Sequence, residues 1–174
     1  GSEYADFPVR LGAPAAVDPA AGLPKSTARK LDRCAQLTLV AAREAWRDSG
    51  LADLTGTSRE VPGERLAVSI GTALGGLTSM FEAWTTLQER GIRRFSPFTA
   101  GRVIPDAAAS WVSLDLGAKA ALETPVAACA TGNDALRRGA DLIRSGKADV
   151  VVAGGADAAL NAFGMAMFTA MRAL

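Results

Sequence analysis

The sequence predicts a layered α/β protein. Strand-like and helical segments alternate along the chain, a pattern typical of a sheet covered by helices. The segment Ala148–Ala153 is a near-continuous apolar run, as expected for a strand that is buried on both faces. The chain has 174 residues, of which 49% are hydrophobic. It is therefore long enough to bury a substantial core and too apolar to be a disordered chain.

Periodicity and glycine or proline breaks place the individual elements. After an irregular lead-in over residues 1–27, with a short extended piece at Phe7–Leu11, apolar residues at helical spacing predict a helix over residues 28–50. Arg65–Gly71 is predicted to be a strand, and residues 77–90 a helix whose buried face carries Met80, Phe81, Trp84 and Leu87. The remaining predicted elements are a helix at Val103–Leu116, a proline-interrupted strand at Ala120–Ala128, a helix at Asn133–Ser145 and the strand Ala148–Ala153.

Composition excludes several functional classes. Lys and Arg total 19 against 18 for Asp and Glu, so bulk charge does not favour a nucleic-acid partner. Histidine is absent, which excludes a Ser/His or Cys/His catalytic pair within this chain and any histidine-based metal site. The two cysteines have no zinc-like spacing and do not suggest a disulfide framework. With neither a bilayer-length apolar run nor a signal-peptide pattern, the expected setting is cytoplasmic and away from membranes.

Cys129 is the strongest candidate for a reactive residue. It falls between a predicted strand and a predicted helix, and helix N-termini present unpaired N–H groups whose positive field favours a thiolate. Small neighbours leave room for a substrate and for backbone amides that would stabilise an oxyanion, as acyl transfer requires. Most free cysteines are simply buried small hydrophobes, however, so position alone does not settle the matter. Cys34 lies within the first helix and is predicted to belong to the core.

Several motifs occur together in one order along the chain. The run Val126–Gly132 (VAACATG) is followed by a helix and then by Gly146–Asp157 (GKADVVVAGGAD). Upstream of them are Lys30–Gln36, Gly71–Gly76 and Ser96–Phe98, and the last segment is Phe168–Leu174. From about Ala28 onward the sequence resembles the β-ketoacyl synthase (ketosynthase) family, and within it the elongating enzymes of fatty-acid and type II polyketide synthesis. The resemblance implies a thiolase-like layered α/β fold, of which residues 28–174 would be the N-terminal portion.

The resemblance also implies roles for individual residues. Cys129 matches the nucleophile that carries the acyl group, with its own N–H as an oxyanion donor. Leu74 matches a position at the floor of the acyl pocket, and Phe168 a bulky position near the cysteine. The glycines around Leu74 are not followed by the Lys-Ser/Thr pair of a phosphate-binding loop. Asp106 departs from the pattern, because many relatives carry Asn there.

The family resemblance gives the basic clusters a possible partner. Runs of basic residues are usually only a solvated face. In relatives, the matching rim docks an acyl carrier protein, which is acidic and brings the phosphopantetheine arm, so no resident cofactor is expected. The residues concerned here are Arg29, Lys30, Arg93, Arg94 and Arg172. A homodimer, or a heterodimer with a ketosynthase-like chain, is the usual assembly.

Some of what such an enzyme needs has no match in this sequence. The family uses two histidines and a lysine from its second half for malonyl decarboxylation, and its opening strand has no counterpart before Phe7. The chain is therefore expected to be one portion of a condensing enzyme. Three other interpretations remain open: a non-catalytic partner that resembles a chain-length factor, another cysteine-dependent acyltransferase of the same fold, and a binding module with an inert cysteine.

Overall fold

A computed structural model describes residues 7–9, 11–51 and 61–174 of the protein. The helices are α1 (Lys25–Ala28), α2 (Arg33–Asp48), α3 (Leu77–Arg90), α4 (Thr99–Val103), α5 (Ala107–Leu116), α6 (Thr131–Arg144) and α7 (Ala162–Ala170). The strands are β1 (Leu66–Gly71), β2 (Ala121–Glu123) and β3 (Val150–Gly155). Short 3-10 turns occur at Pro19–Gly22, Gly63–Arg65, Ile92–Arg94 and Ala128–Ala130.

The three strands form one parallel sheet with β1 in the centre. Ala67 pairs with Ala121 of β2 on one side, and β1 pairs with β3 on the other along its whole length. Parallel strands need a crossover connection, and α6 supplies the one that leads from β2 past the central β1 to β3. Parallel strands end at the same edge of a sheet, so the loops that follow β1, β2 and β3 share one edge. In open α/β sheets, ligands bind at that carboxyl edge.

Alternation along β1 divides the core into two layers. Val68 and Ile70 point to one face, where they pack with α2 and α5. Ala67 and Ser69 serve the other face, where Ala67 packs near Leu142 of α6 and the Ser69 hydroxyl donates to the Ala135 carbonyl at 3.0 Å. All six residues of β1 are buried. The predicted layered α/β architecture is therefore confirmed.

The layer formed by α2 and α5 contains the larger apolar cluster. The α2 residues of this cluster are Ala35, Leu39 and Ala42, at helical spacing, and they pack against Ala109 and Val112 of α5. Burying a leucine side chain contributes about 1.5–3 kcal/mol. Outside this cluster, Arg43 of α2 donates two hydrogen bonds, of 2.6 and 2.7 Å, to the Asp115 carboxylate of α5. The two helices thus form a firm support beneath the sheet.

Several predicted boundaries change in the structure. The helix predicted at residues 28–50 is shorter, Arg33–Asp48, because Asp32 begins α2 by accepting the Cys34 N–H at 2.8 Å. The helix predicted at Val103–Leu116 is wrong as one element, since the chain becomes extended at Ile104, directly before Pro105, and α5 begins only at Ala107. The strand predicted at Ala120–Ala128 is only three residues long and ends before Pro125.

The structure also tests the expectations for α3, for β3 and for the N-terminal residues 7–11. The buried face predicted for α3 is wrong, because Met80 is 51%, Phe81 49% and Trp84 59% exposed. β3 is a strand as predicted, but it lies at an edge of the described sheet and its side chains are only partly buried. Phe7–Val9 and Leu11 lie in no strand, while Arg10 lies outside the described residues. The helical spacing of apolar residues predicted α3 correctly, but it does not specify what the apolar face of α3 packs against.

Candidate active site

Cys129 lies in the 3-10 turn that leads directly into α6, and it is exposed. Thr131, at the start of the helix, organises this turn. Its hydroxyl accepts the Ala127 N–H at 2.9 Å and donates to the Ala128 carbonyl at 2.6 Å. Ala128 has φ +49°, a conformation that is unfavourable for a residue with a Cβ. The predicted strand-to-helix position of Cys129 is therefore confirmed, and strained backbone directly precedes the thiol.

Glycines let this turn pack tightly on the carboxyl edge of the sheet. A Cβ placed on Gly71, at the end of β1, would lie 2.1 Å from the Pro125 carbonyl oxygen and 2.4 Å from Cγ2 of Thr131. A Cβ on Gly155, at the end of β3, would lie 3.3 Å from Gly132. The backbone of both strands thus approaches the Cys129 turn more closely than a larger residue would permit.

The glycine-rich turn after β1 lies at the same edge. Leu74 is half-buried within it. Three groups of the turn donate to the Asp157 carboxylate, which follows β3: the Thr72 hydroxyl at 2.6 Å, the Ala73 N–H at 3.1 Å and the Leu74 N–H at 2.9 Å. The structure therefore fixes the segment that carries Leu74 through a residue 83 positions further along the chain.

The other cysteine has the opposite environment. Cys34 is 2% exposed in α2, as predicted for a core residue. Its Sγ lies 3.0 Å from the Ala156 carbonyl oxygen, which accepts the S–H, and 3.7 Å from the Thr72 hydroxyl. Burial raises the pKa of the Cys34 thiol to about 11, because the thiolate would lose its solvation. This thiol is therefore a structural group.

Phe168 and Arg172 lie in and after α7. Phe168 is half-buried on the helix. The Asn161 side chain caps α7 by accepting the Gly164 N–H at 2.9 Å, and its amide donates to the Thr78 hydroxyl of α3 at 3.3 Å. The loop after β3 is thereby joined to the start of α3. Arg172 follows the helix, exposed, with φ +55°.

The predicted docking residues lie on three separate segments and are all exposed. Arg29 and Lys30 follow α1, Arg93 and Arg94 lie in the 3-10 turn after α3, and Arg172 follows α7. Within the described part of the chain, the ion pairs do not involve any of these five side chains. Their positive charges are therefore available to solvent or to a partner.

Sequence reasoning did not assign a role to Asp157, Thr72, Thr131 or Asn161. A signal for the first two was present, since each closely follows a predicted strand and parallel strands end at one edge. The pairing of those two strands was not readable from the sequence. Over residues 7–9, 11–51 and 61–174, no group of three or more Asp, Glu and Cys residues is arranged to hold a metal ion. Nor does that part of the chain contain a helix with the length and apolar character needed to cross a bilayer.

These features define a class: an α/β protein with an exposed cysteine at the carboxyl edge of a parallel sheet. Solved structures support it. The chain is similar to a β-ketoacyl synthase from Burkholderia phymatum, with TM-score 0.73 and 25% identity over 91% of this chain and 37% of that one. The ishigamide ketosynthase/chain length factor matches with TM-score 0.73 and 26% identity, covering 90% and 38% of the two chains. A type II polyketide ketosynthase in complex with its acyl carrier protein has the same fold at TM-score 0.76, with 22% identity over 88% of this chain and 43% of that one.

Sequence comparison identifies the family. Residues 9–174 match the family model of the β-ketoacyl synthase N-terminal domain, and the chain belongs to this family. It is 39% identical to a 3-oxoacyl-[acyl-carrier-protein] synthase 2 of Staphylococcus aureus over 150 residues, which are 86% of this chain and 36% of that protein. It is 34% identical to the enzyme of the same name from Mycobacterium bovis over 170 residues, which are 98% of this chain and 39% of that protein. The chain thus spans little more than a third of these relatives, and the fold is the thiolase-like fold.

Proposed function

We propose that this chain provides the acyl-carrying portion of a β-ketoacyl-acyl carrier protein synthase, with Cys129 as the nucleophile. The observation that carries the proposal is the placement of an exposed thiol in the turn that begins α6. None of the hydrogen bonds among the described residues uses the Cys129 N–H, so this amide is available to an oxyanion.

The first step is transfer of an acyl group from carrier protein to enzyme. The Cys129 sulfur attacks the carbonyl carbon of the acyl thioester, and the carbonyl electron pair moves onto oxygen, where the Cys129 N–H stabilises it. When the carbonyl re-forms, the bond to the phosphopantetheine sulfur breaks. The departing thiolate takes up the proton that the cysteine thiol lost. The phosphopantetheine belongs to the carrier protein, so this step needs no resident cofactor.

The second step is decarboxylative condensation. A malonyl carrier protein loses carbon dioxide, and the electrons of the broken carbon–carbon bond form an enolate. The enolate carbon attacks the Cys129 thioester, and the cysteine sulfur leaves as the β-ketoacyl product forms. The sequence has no histidine. The two histidines that the resemblance implies for this step must therefore come from outside these 174 residues, either from further native sequence or from a partner chain, and the resemblance places the lysine in the same second half.

Leu74 and Phe168 are proposed to shape the pocket for the acyl chain. Both are half-buried, and Leu74 lies in the turn that follows β1 directly. Gly71 at the end of that strand packs on Pro125 and Thr131, which flank the Cys129 turn. The described contacts thus bring the Leu74 turn and the Cys129 turn to one edge of the sheet, which supports the proposal.

The proposed partners are an acyl carrier protein and a second ketosynthase-like chain, in a homodimer or a heterodimer. The exposed basic residues Arg29, Lys30, Arg93, Arg94 and Arg172, which form no ion pair with any other described residue, suit a brief encounter with an acidic carrier. The related enzyme names specify an acyl-carrier-protein substrate, which supports this assignment.

The nucleophile is tested by acyl loading in the native protein, expressed as the complete gene product with any partner chain. We expect incubation with acyl-carrier protein to add one acyl mass to the peptide containing Cys129. Cys129→Ala should lower this loading by about 1,000-fold or more, because the reacting atom is gone. Cys34→Ala is the matched control and should still be loaded. Loading of the Cys129→Ala variant, or no loading of the native protein, would overturn the proposal.

Carrier docking is tested with two charge-reversed pairs. Arg93→Glu/Arg94→Glu should weaken carrier binding about tenfold at low salt and flatten its salt dependence. Arg47→Glu/Lys147→Glu has the same charge change, but Arg47 lies in the last turn of α2 and Lys147 follows α6, at the opposite edge of the sheet from Cys129. Binding is measured by titration at two ionic strengths. Equal weakening by both pairs would show that only net charge matters and would remove the docking site.

A further inference from the structure

We propose that Asp157 is a positioning residue: it holds the Leu74 turn in place and thereby sets the length of acyl chain that Cys129 accepts. The inference rests on the proposed acyl-transfer function. It assigns a role to a carboxylate that would not itself contact the reacting atoms. The supporting observations are its contacts, the way its own backbone is anchored, and the place where the turn lies.

One carboxylate organises the donors of the turn. Asp157 Oδ1 accepts the Thr72 hydroxyl at 2.6 Å and the Leu74 N–H at 2.9 Å, while the Ala73 N–H lies 3.1 Å from both carboxylate oxygens. The Thr72 hydroxyl also accepts the Gly75 N–H at 3.0 Å. Four consecutive residues of the turn are therefore oriented, directly or through Thr72, by Asp157. Hydrogen bonds to an ionised carboxylate are stronger than those between neutral groups.

The opposite side of the turn is held by backbone packing. A Cβ on Gly76 would lie 2.0 Å from the Arg102 carbonyl oxygen, so α4 already touches the backbone there. The Gly76 N–H donates to the Val103 carbonyl at 3.4 Å. Leu74, whose own N–H donates to Asp157, lies two residues before this backbone contact. Removing the carboxylate would release one side of the turn and leave the other in place.

Asp157 is suited to act as a fixed anchor because its own backbone is tied to the sheet. The preceding residue, Ala156, donates its N–H to the Gly71 carbonyl at 3.3 Å and accepts the Cys34 S–H at 3.0 Å. Gly155, one residue earlier, packs on Gly132 just after the nucleophile turn. The residues at and just after the end of β3 therefore contact both the Leu74 turn and the Cys129 turn, and they fix the position of one turn relative to the other.

A looser turn should let Leu74 withdraw from the end of the acyl chain. Asp157→Asn keeps Oδ1 as an acceptor but replaces the second oxygen with a donor and removes the charge. Small changes in apolar pocket size are worth factors of about 10 to 200 in discrimination. We expect the rate of Cys129 loading with dodecanoyl carrier protein, divided by that with butyryl carrier protein, to rise by about threefold to tenfold.

The experiment measures this ratio in the complete native protein by mass spectrometry of the Cys129 peptide. Thr72→Val, which removes the hydroxyl while keeping the side-chain shape, is the second variant and should raise the ratio in the same direction. Asp149→Asn is the matched control: Asp149 accepts from Arg65 Nε at 2.9 Å just before the same strand, at the opposite edge of the sheet. It should leave the ratio unchanged.

A double variant distinguishes positioning from general loosening. If Asp157 acts through Leu74, Asp157→Asn should cause no further change in the ratio once Leu74 is already alanine. The proposal is overturned if the folded Asp157→Asn and Thr72→Val proteins keep the native ratio, if Asp149→Asn shifts it equally, or if the effect persists in full without the leucine side chain. Failure of the native protein to load Cys129 at all would instead overturn the proposed function.

Discussion

The two cysteines of this chain show how the same side chain acquires different properties from its surroundings. Cys34 lies in α2 and is 2% exposed, and its S–H donates a hydrogen bond to the Ala156 carbonyl. Cys129 lies in the 3-10 turn before α6 and is exposed. Both belong to the carboxyl edge of the sheet, because Ala156 follows β3 and Gly132 packs against Gly155.

The comparison distinguishes a cysteine that packs in the core from one that lies at the surface. Cys34 lies on the core side of that edge, where desolvation disfavours its thiolate and raises its pKa to about 11. Cys129 lies on the solvent side, exposed, in the 3-10 turn that leads into α6. Position in the layered fold therefore gives the two sulfurs different access to solvent.

Alkylation gives the largest contrast between the two sites. At about pH 8, a thiol with a pKa of about 11 is only about 0.1% thiolate, and Cys34 is also closed to reagents. We expect iodoacetamide to modify Cys129 at least about 100-fold faster than Cys34 in the folded protein. Mass spectrometry of the two cysteine peptides measures both rates. In guanidinium the rates should converge, and equal rates in the folded protein would contradict the contrast.

Removing a glycine should break the packing beneath Cys129. Gly71→Ala would place a methyl group 2.1 Å from the Pro125 carbonyl oxygen, which is backbone and cannot rotate away. We expect the free energy of unfolding to fall by about 3 kcal/mol or more, measured by denaturant titration. Gly101→Ala is the control, since a Cβ there meets nothing within 4 Å. A native-like stability of Gly71→Ala would show that the edge is looser than described.

The pH dependence of stability should report Cys34 specifically. Its folded pKa of about 11 is above its ordinary value of 9.0, so the folded state holds its proton more strongly. The associated stabilisation is complete below pH 9 and is lost as the pH rises through 11. Relative to Cys34→Ala, the wild-type free energy of unfolding should fall by about 2–3 kcal/mol across that window. Parallel profiles for wild type and Cys34→Ala would contradict this, and Cys129→Ala controls for loss of an exposed thiol.

The strained residue beside Cys129 should give the smallest effect. Ala128 has φ +49°, so Ala128→Gly relieves the strain of the left-handed conformation. The same substitution makes the unfolded chain more flexible, and these two contributions of about 1 kcal/mol nearly cancel. Ala128→Val should lower the free energy of unfolding by about 1–2 kcal/mol, because branching at Cβ worsens the strain. Thermal or denaturant unfolding measures both. Equal stability of the Gly and Val variants would argue that the turn relaxes.

Local pattern was enough for most of the fold. The apolar period of α2 gave its buried residues correctly, including Leu31 before it and Trp46 near its end. The strand at β1 and the turn-to-helix position of Cys129 also followed from the sequence. The same apolar spacing predicted a buried face for α3 wrongly. The exposed Phe81 of α3 contacts Phe163 of α7, with ring centroids 5.9 Å apart, and does not pack in the core cluster.

The sequence by itself determined the alternation of helices and strands, the glycine positions and the place of each thiol relative to a helix, because these depend on residues close together in the chain. Only the tertiary structure decided that Asp157 receives the donors around Leu74 and that Gly71 lies against Pro125 and Thr131. Those contacts depend on β1 pairing with both β2 and β3. Such pairing joins segments that are distant in sequence, and no local period or propensity specifies it.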